Sequence, residues 1–108
     1  MAELVEITPE QLHARIAKGD RPIVLDVREQ GEIEIAAFPG AVHIPMNDIP
    51  SRIGELVAED EIVVVCHHGM RSAHVAMYLA GNGFARVLNL TGGIDAWSET
   101  VDPSVPRY

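Results

Sequence analysis

One stretch limits the possible folds more than any other: Glu61-Ile62-Val63-Val64-Val65-Cys66. It is a run of β-branched residues with no polar face, the composition of a strand covered on both sides in a parallel sheet. The next residues, His67 to Arg71, are polar and include Gly69. From Ser72 to Leu79 the pattern turns helical, with Val75, Ala76, Leu79 and Ala80 on one side and Gly81 and Gly83 closing the segment. Strand, loop and helix in that order form the repeating unit of an α/β fold.

The rest of the chain repeats the alternation. Leu4 to Ile7 reads as a short strand. Thr8-Pro9-Glu10-Gln11 is a helix start, with Thr8 as cap, Pro9 at the first position and Gln11 completing a capping box. Leu12, Ile16 and Ala17 form the apolar face of that helix, and Gly19 ends it. Pro22 to Val27 is a second buried strand, and Glu29 to Ile35 a short helix. Phe38-Pro39-Gly40-Ala41 is a turn, Val42 to Ile44 a third strand, and Ile49 to Val57 a helix with Ile49, Ile53, Leu56 and Val57 apolar. After the 61–66 strand comes a last one, Arg86 to Leu90; Gly92-Gly93 then leads into a short helix through Trp97, which is read as core. Asp102 to Tyr108, with Pro103 and Pro106, reads as an extended tail.

Length and charge narrow the function classes. At 108 residues the chain is read as one domain, 1–108, with 101–108 as its tail. A single cysteine, Cys66, excludes an internal disulfide and a cysteine-rich zinc site. The formal net charge of -8 argues against a nucleic-acid binder. No run approaches the roughly 18 apolar residues of a membrane span. Residues 1–20 lack the pattern of an export signal, so a cytoplasmic protein with a reduced thiol is expected. The negative excess lies wholly before Cys66. From there to Tyr108, Asp95, Glu99 and Asp102 balance Arg71, Arg86 and Arg107.

In open α/β sheets ligands bind at the carboxyl ends of the strands, and Cys66 stands at such an end. Its segment is Cys66-His67-His68-Gly69-Met70-Arg71-Ser72. Loop amides can form an anion-binding concavity, the following helix adds its positive end, and Arg71 supplies a permanent cation. All three favour thiolate over thiol. Gly69 allows a close turn, and Ser72 is read as capping the helix and donating one further hydrogen bond. A lone cysteine ending a buried strand is ordinarily a small inert hydrophobe. The company of Gly69, Arg71 and Ser72 instead points to covalent nucleophilic catalysis. His67 and His68, as adjacent residues, are expected to point different ways, so that at most one faces the pocket and tunes its field. Asp26 and Arg28, at the end of the neighbouring strand, would either support the pocket or serve structural hydrogen bonding. A metal site from Cys66, His68 and His74 lacks a recognised spacing and a fourth ligand, so none is expected.

The loop resembles the active-site loop of single-domain rhodaneses, which carry Cys-x-x-Gly-x-Arg-Ser/Thr. Three further segments resemble that family in order: Leu25-Asp26-Val27-Arg28-Glu29, Pro39-Gly40-Ala41-Val42-His43-Ile44-Pro45, and Leu88 through Gly92-Gly93 to Trp97. One departure is Ala36-Ala37-Phe38, where the family commonly has Gly-His-Ile; it is read as altering a surface turn. The resemblance implies a rhodanese-like α/β domain, a central, mostly parallel five-stranded sheet with helices on both faces. It also implies a sulfurtransferase that needs no cofactor. Cys66 would take a sulfur from thiosulfate or a persulfide donor, hold it as a persulfide among residues 67–72, and pass it to cyanide or a thiol. The alternative is a sulfur-carrier module delivering the persulfide to a partner protein. A cysteine phosphatase is the remaining rival. Its loop has five residues between Cys and Arg; here four separate Cys66 from Arg71. The resemblance ties the smaller cradle to sulfur rather than phosphate, and no Asp stands in the loop as general acid.

Overall fold

The computed structural model describes residues 4–108. Five strands, β1 (Val5–Ile7), β2 (Ile23–Asp26), β3 (Val42–His43), β4 (Ile62–Val65) and β5 (Val87–Leu90), form one sheet in the order β1-β5-β4-β2-β3. Every pairing is parallel. The valine-rich β4 is therefore central, with β2 and β5 as neighbours, and its four residues are all buried. Full burial of a side chain of this size contributes about 1.5–3 kcal/mol, so this strand anchors both layers of the core.

Side chains alternate across a strand, which divides β4 between two layers. Ile62, Val64 and Cys66 join the cluster of Val75, Ala76 and Leu79 from α4 (Met70–Gly81) and Ile49 from α3 (Ile49–Arg52). Val63 and Val65 face Leu12 of α1 (Pro9–Ala17) and Ile94 and Trp97 of α5 (Gly93–Thr100). Helices thus cover both faces. The capping box at Thr8 forms as expected: Thr8 Oγ1 accepts from the Gln11 N–H at 3.1 Å, and Gln11 Oε1 accepts from the Thr8 N–H at 2.9 Å. A short helix, α2 (Gln30–Ile35), follows β2.

Three local expectations are corrected. The helix read over 49–57 is helical in the α sense only over Ile49–Arg52, flanked by 3-10 turns at Met46–Asp48 and Ile53–Glu55; Pro50 suits its first turn, and Gly54 disfavours its continuation. Gly81 lies within α4, whose end falls at Asn82, followed by Gly83 in the left-handed region. Ala36-Ala37-Phe38 is no surface turn: Ala36 and Phe38 are buried, and Phe38 packs on Trp97 with ring centroids 4.7 Å apart. No helix among the described residues is long and apolar enough to cross a membrane.

Residues 101–108 turn back over the body. Val105 is buried in the α5 layer and its carbonyl accepts from the Ser98 hydroxyl. Arg107 pairs with Asp95 on α5 at 2.9 Å. These contacts carry Tyr108 to the carboxyl end of the sheet, beside the loop that follows β4.

Candidate active site

β4 ends at Val65, and Cys66 starts the turn away from the sheet with its thiol buried. The loop closes on itself because Gly69 adopts φ +103°, a left-handed conformation that places its N–H 3.0 Å from Cys66 Sγ. A second glycine fixes the loop from outside. At Gly93, φ +64°, an added Cβ would lie 2.4 Å from the His67 carbonyl oxygen and 2.5 Å from that of Cys66. This close approach lets the first amides of α5 hold the loop: Ile94 N–H donates to the Cys66 carbonyl at 2.9 Å and Asp95 N–H to that of His67 at 3.1 Å. The sulfur itself lies at the start of α4. There the amides of the first turn have no intrahelical acceptor, and the helix dipole favours negative charge.

Ser72 is not the helix cap. α4 begins earlier, at Met70, with Gly69 preceding it, so Ser72 is inside the first turn and buried. From there its hydroxyl reaches Cys66 Sγ at 3.3 Å and Asn89 Oδ1 at 2.5 Å, with one hydrogen to share between them. Asn89 was not picked out from the sequence. Its amide nitrogen donates to the Gly69 carbonyl at 3.1 Å, bracing the turn that aims the Gly69 N–H at sulfur. The signal was there: one amide within the apolar run Val87-Leu88-Asn89-Leu90, in a strand next to β4. A buried polar side chain in such a run requires partners.

Arg71 does not point at the sulfur. Both of its terminal nitrogens engage the Glu32 carboxylate of α2, at 2.7 and 2.8 Å. This fork holds the Glu32 carboxyl down to about 2 and raises Arg71 further above its ordinary value. Glu32 also accepts from the Tyr108 hydroxyl at 2.8 Å and from the Glu29 N–H at 3.0 Å. Asp26 and Arg28 take the structural role. Arg28 is wholly buried, forked on Asp26 at 3.0 and 2.7 Å, and donates to the Ala36 carbonyl at 2.6 Å and to the Tyr108 hydroxyl at 2.9 Å. Their side chains brace α2 and the 101–108 segment and make no hydrogen bond to Cys66.

The two histidines do not point apart. Their rings stack at 3.9 Å, and His67 stacks in turn on Tyr108 at 3.8 Å with the planes 9° apart. Burial, followed by the charge of His68, holds the His67 pKa below its ordinary value. Ligand atoms of His67, His68 and Asp95 lie within 4.8 Å of one another, a different grouping from Cys66, His68 and His74; Asp95 is already held by Arg107. His74 lies away from the sulfur, lining a pocket of about 190 Å³ with Met46, Ile49, Pro50, Val75 and Tyr78. Met70 is exposed at the loop rim. A larger cavity of about 310 Å³ lies at the opposite end of the sheet among Arg15, Asp20, Glu61 and Arg86, where Arg15 is forked on Glu61.

Comparison with known proteins places this architecture. The Rhodanese-like domain model matches residues 8–100, and the chain belongs to that family. It is 39% identical over 93 residues to a sulfurtransferase of Allochromatium vinosum, covering 86% of this chain and 87% of the relative. It is 40% identical over 110 residues to a chloroplastic Rhodanese-like/PpiC domain-containing protein of Arabidopsis thaliana, covering 95% of this chain but only 37% of that longer protein. Among solved structures it is similar to a rhodanese-like domain protein from Staphylococcus aureus. That match has a TM-score of 0.82 and 32% identity, over 87% of this chain and 91% of the other. The family and these relatives support sulfurtransferase activity.

Proposed function

We propose that the protein transfers a sulfane sulfur by way of a persulfide on Cys66. The Cys66 thiolate attacks the outer sulfur of thiosulfate, the sulfur–sulfur bond breaks, and sulfite leaves with the electron pair. The persulfide then carries its terminal negative charge on the sulfur added beyond Sγ, in the same loop where Sγ accepts from Gly69 N–H and Ser72 Oγ–H. A nucleophile such as cyanide attacks that outer sulfur and departs as thiocyanate, restoring the thiolate; a thiol acceptor leaves as its hydropersulfide. The observation that carries the reading is the sulfur at the carboxyl end of β4 with donors at 3.0 and 3.3 Å. Fixed donors aimed at developing charge contribute most when water is excluded, and Cys66 is buried.

The phosphatase reading loses support from Arg71. A phosphate loop needs its arginine over the bound anion, whereas Arg71 is forked outward on Glu32. The carrier reading is kept as a second possibility because the chain is also 36% identical over 97 residues to a Bacillus subtilis protein named a putative sulfur carrier protein, about half of whose length it covers. Steady-state turnover of thiosulfate and cyanide separates the two. An enzyme gives sustained thiocyanate production that Cys66→Ser abolishes. A carrier gives one equivalent of persulfide with negligible turnover until a protein acceptor is added.

A further inference from the structure

We propose that Glu32 sets donor selectivity, weighting the Cys66 site against dianionic thiosulfate and toward the hydropersulfide of a small thiol. This rests on Cys66 being the sulfur-accepting residue. Arg71 is the only permanent cation between Cys66 and Ser72, and both of its terminal nitrogens are bound to Glu32. The pair brings no net formal charge to the loop. For a sulfonate to use the guanidinium, it must displace a carboxylate that forms a complete fork.

Glu32 is held against that displacement. Besides Arg71, it accepts from the Tyr108 hydroxyl and from the Glu29 N–H. Tyr108 is itself fixed, accepting from buried Arg28 and stacked on His67. A sulfonate would therefore approach an intact carboxylate, and like-charge repulsion counts against it in this half-buried setting. What faces the reacting sulfur apart from this pair is a set of neutral dipoles, the first-turn amides of α4 together with the Gly69 amide and the Ser72 hydroxyl that already meet Cys66 Sγ. These suit a neutral donor whose leaving group carries one charge. Tyr108 and the exposed thioether of Met70 supply apolar surface beside the loop for an organic thiol.

The hydropersulfide step balances without another reactant. The Cys66 thiolate attacks the terminal sulfur of R–S–SH, the sulfur–sulfur bond breaks, and the thiolate R–S⁻ leaves. Cys66 keeps the transferred sulfur with its proton. The donor brings no charge, and the single negative charge of the Cys66 thiolate leaves with R–S⁻, whereas the thiosulfate step gathers three negative charges at the loop.

The test is the rate constant at which Cys66 gains one sulfur, followed by intact mass, with thiosulfate and separately with glutathione hydropersulfide. Glu32→Gln keeps the shape and an oxygen for the Glu29 N–H while removing the charge. The ratio of thiosulfate to hydropersulfide rate constants should rise about tenfold, and the rise should shrink at high salt. Tyr108→Phe keeps the ring stack, frees one contact on Glu32, and should move the ratio the same way by about twofold. A ratio unchanged or lowered in Glu32→Gln, with both donors still reacting, overturns the proposal and leaves the Cys66 reading intact. Failure of both donors on the unmodified protein overturns the Cys66 reading and this proposal with it.

Discussion

Two arginine–carboxylate forks stand within one turn of α2 and have little in common beyond their geometry. Asp26–Arg28 and Glu32–Arg71 both close at 2.7 Å. The first pair is buried to within 1% of complete, while the side chains of the second keep 20–32% of their surface open. Arg28 spends its other donors on Ala36 and Tyr108, so it ties α2 and the 101–108 segment to β2. Arg71 makes its fork across the edge of the Cys66 loop. Tyr108 joins them, accepting from Arg28 and donating to Glu32. A buried pair with every donor used acts as framework, because removing one partner strands a charge without water. A half-exposed pair can be lost by substitution with little effect on stability, which leaves its charge available for tuning.

The same substitution at the two arginines breaks or upholds this contrast. Arg28→Met should cost about 3–5 kcal/mol in urea denaturation, since Asp26 stays buried without a counter-ion; a loss below about 1 kcal/mol would make the pairs equivalent. Gly93→Ala should rank next, at about 1–3 kcal/mol. Its Cβ would collide with the His67 and Cys66 carbonyls, so hydrogen exchange should quicken at Ile94 and Asp95. Unchanged exchange there would mean the loop does not depend on α5. Arg71→Met should cost no more than about 1 kcal/mol yet change the rate at which Cys66 gains sulfur. An Arg71→Met protein as unstable as Arg28→Met would contradict the division.

The smallest effect is a pH dependence. The Glu32 carboxyl lies at about 2 in the folded protein against an ordinary 4.5, lowered chiefly by Arg71. A depressed carboxyl contributes stability that is complete above its unfolded value and is lost as pH falls through the folded value. The urea midpoint should therefore fall between pH 4.5 and about 2, and Arg71→Met should flatten that part of the curve. If the slope survives in Arg71→Met, the fork is not its source.

Much of this was legible in the sequence, for local reasons. The run Ile62 to Val65 has no polar face and became the central strand. The capping box at Thr8 satisfies its own backbone and formed as read. Gly69 announced the tight turn beside Cys66 because a left-handed backbone favours glycine. What stayed hidden depends on contacts between distant residues. Arg71 meets Glu32 across 39 positions, and Tyr108 meets Arg28 across 80. No spacing rule connects either pair. Ser72 is a donor as expected but not the cap, since the helix starts two residues ahead of it, at Met70. The histidines were expected to diverge because neighbours in regular structure do, but a turn imposes no such alternation. Ala36 and Phe38 read as surface because they adjoin Pro39 and Gly40, and the packing of Trp97 draws them in.

The central claim is that Cys66 accepts a sulfur and holds it, and the direct measurement is intact mass after brief exposure to a sulfane donor. Incubation with thiosulfate or glutathione hydropersulfide, followed by removal of excess donor, should leave the protein heavier by one sulfur atom. Cyanide should reverse the gain, and Cys66→Ser should show none. A protein whose mass is unchanged by both donors, or a Cys66→Ser variant that gains the same atom, would contradict the account.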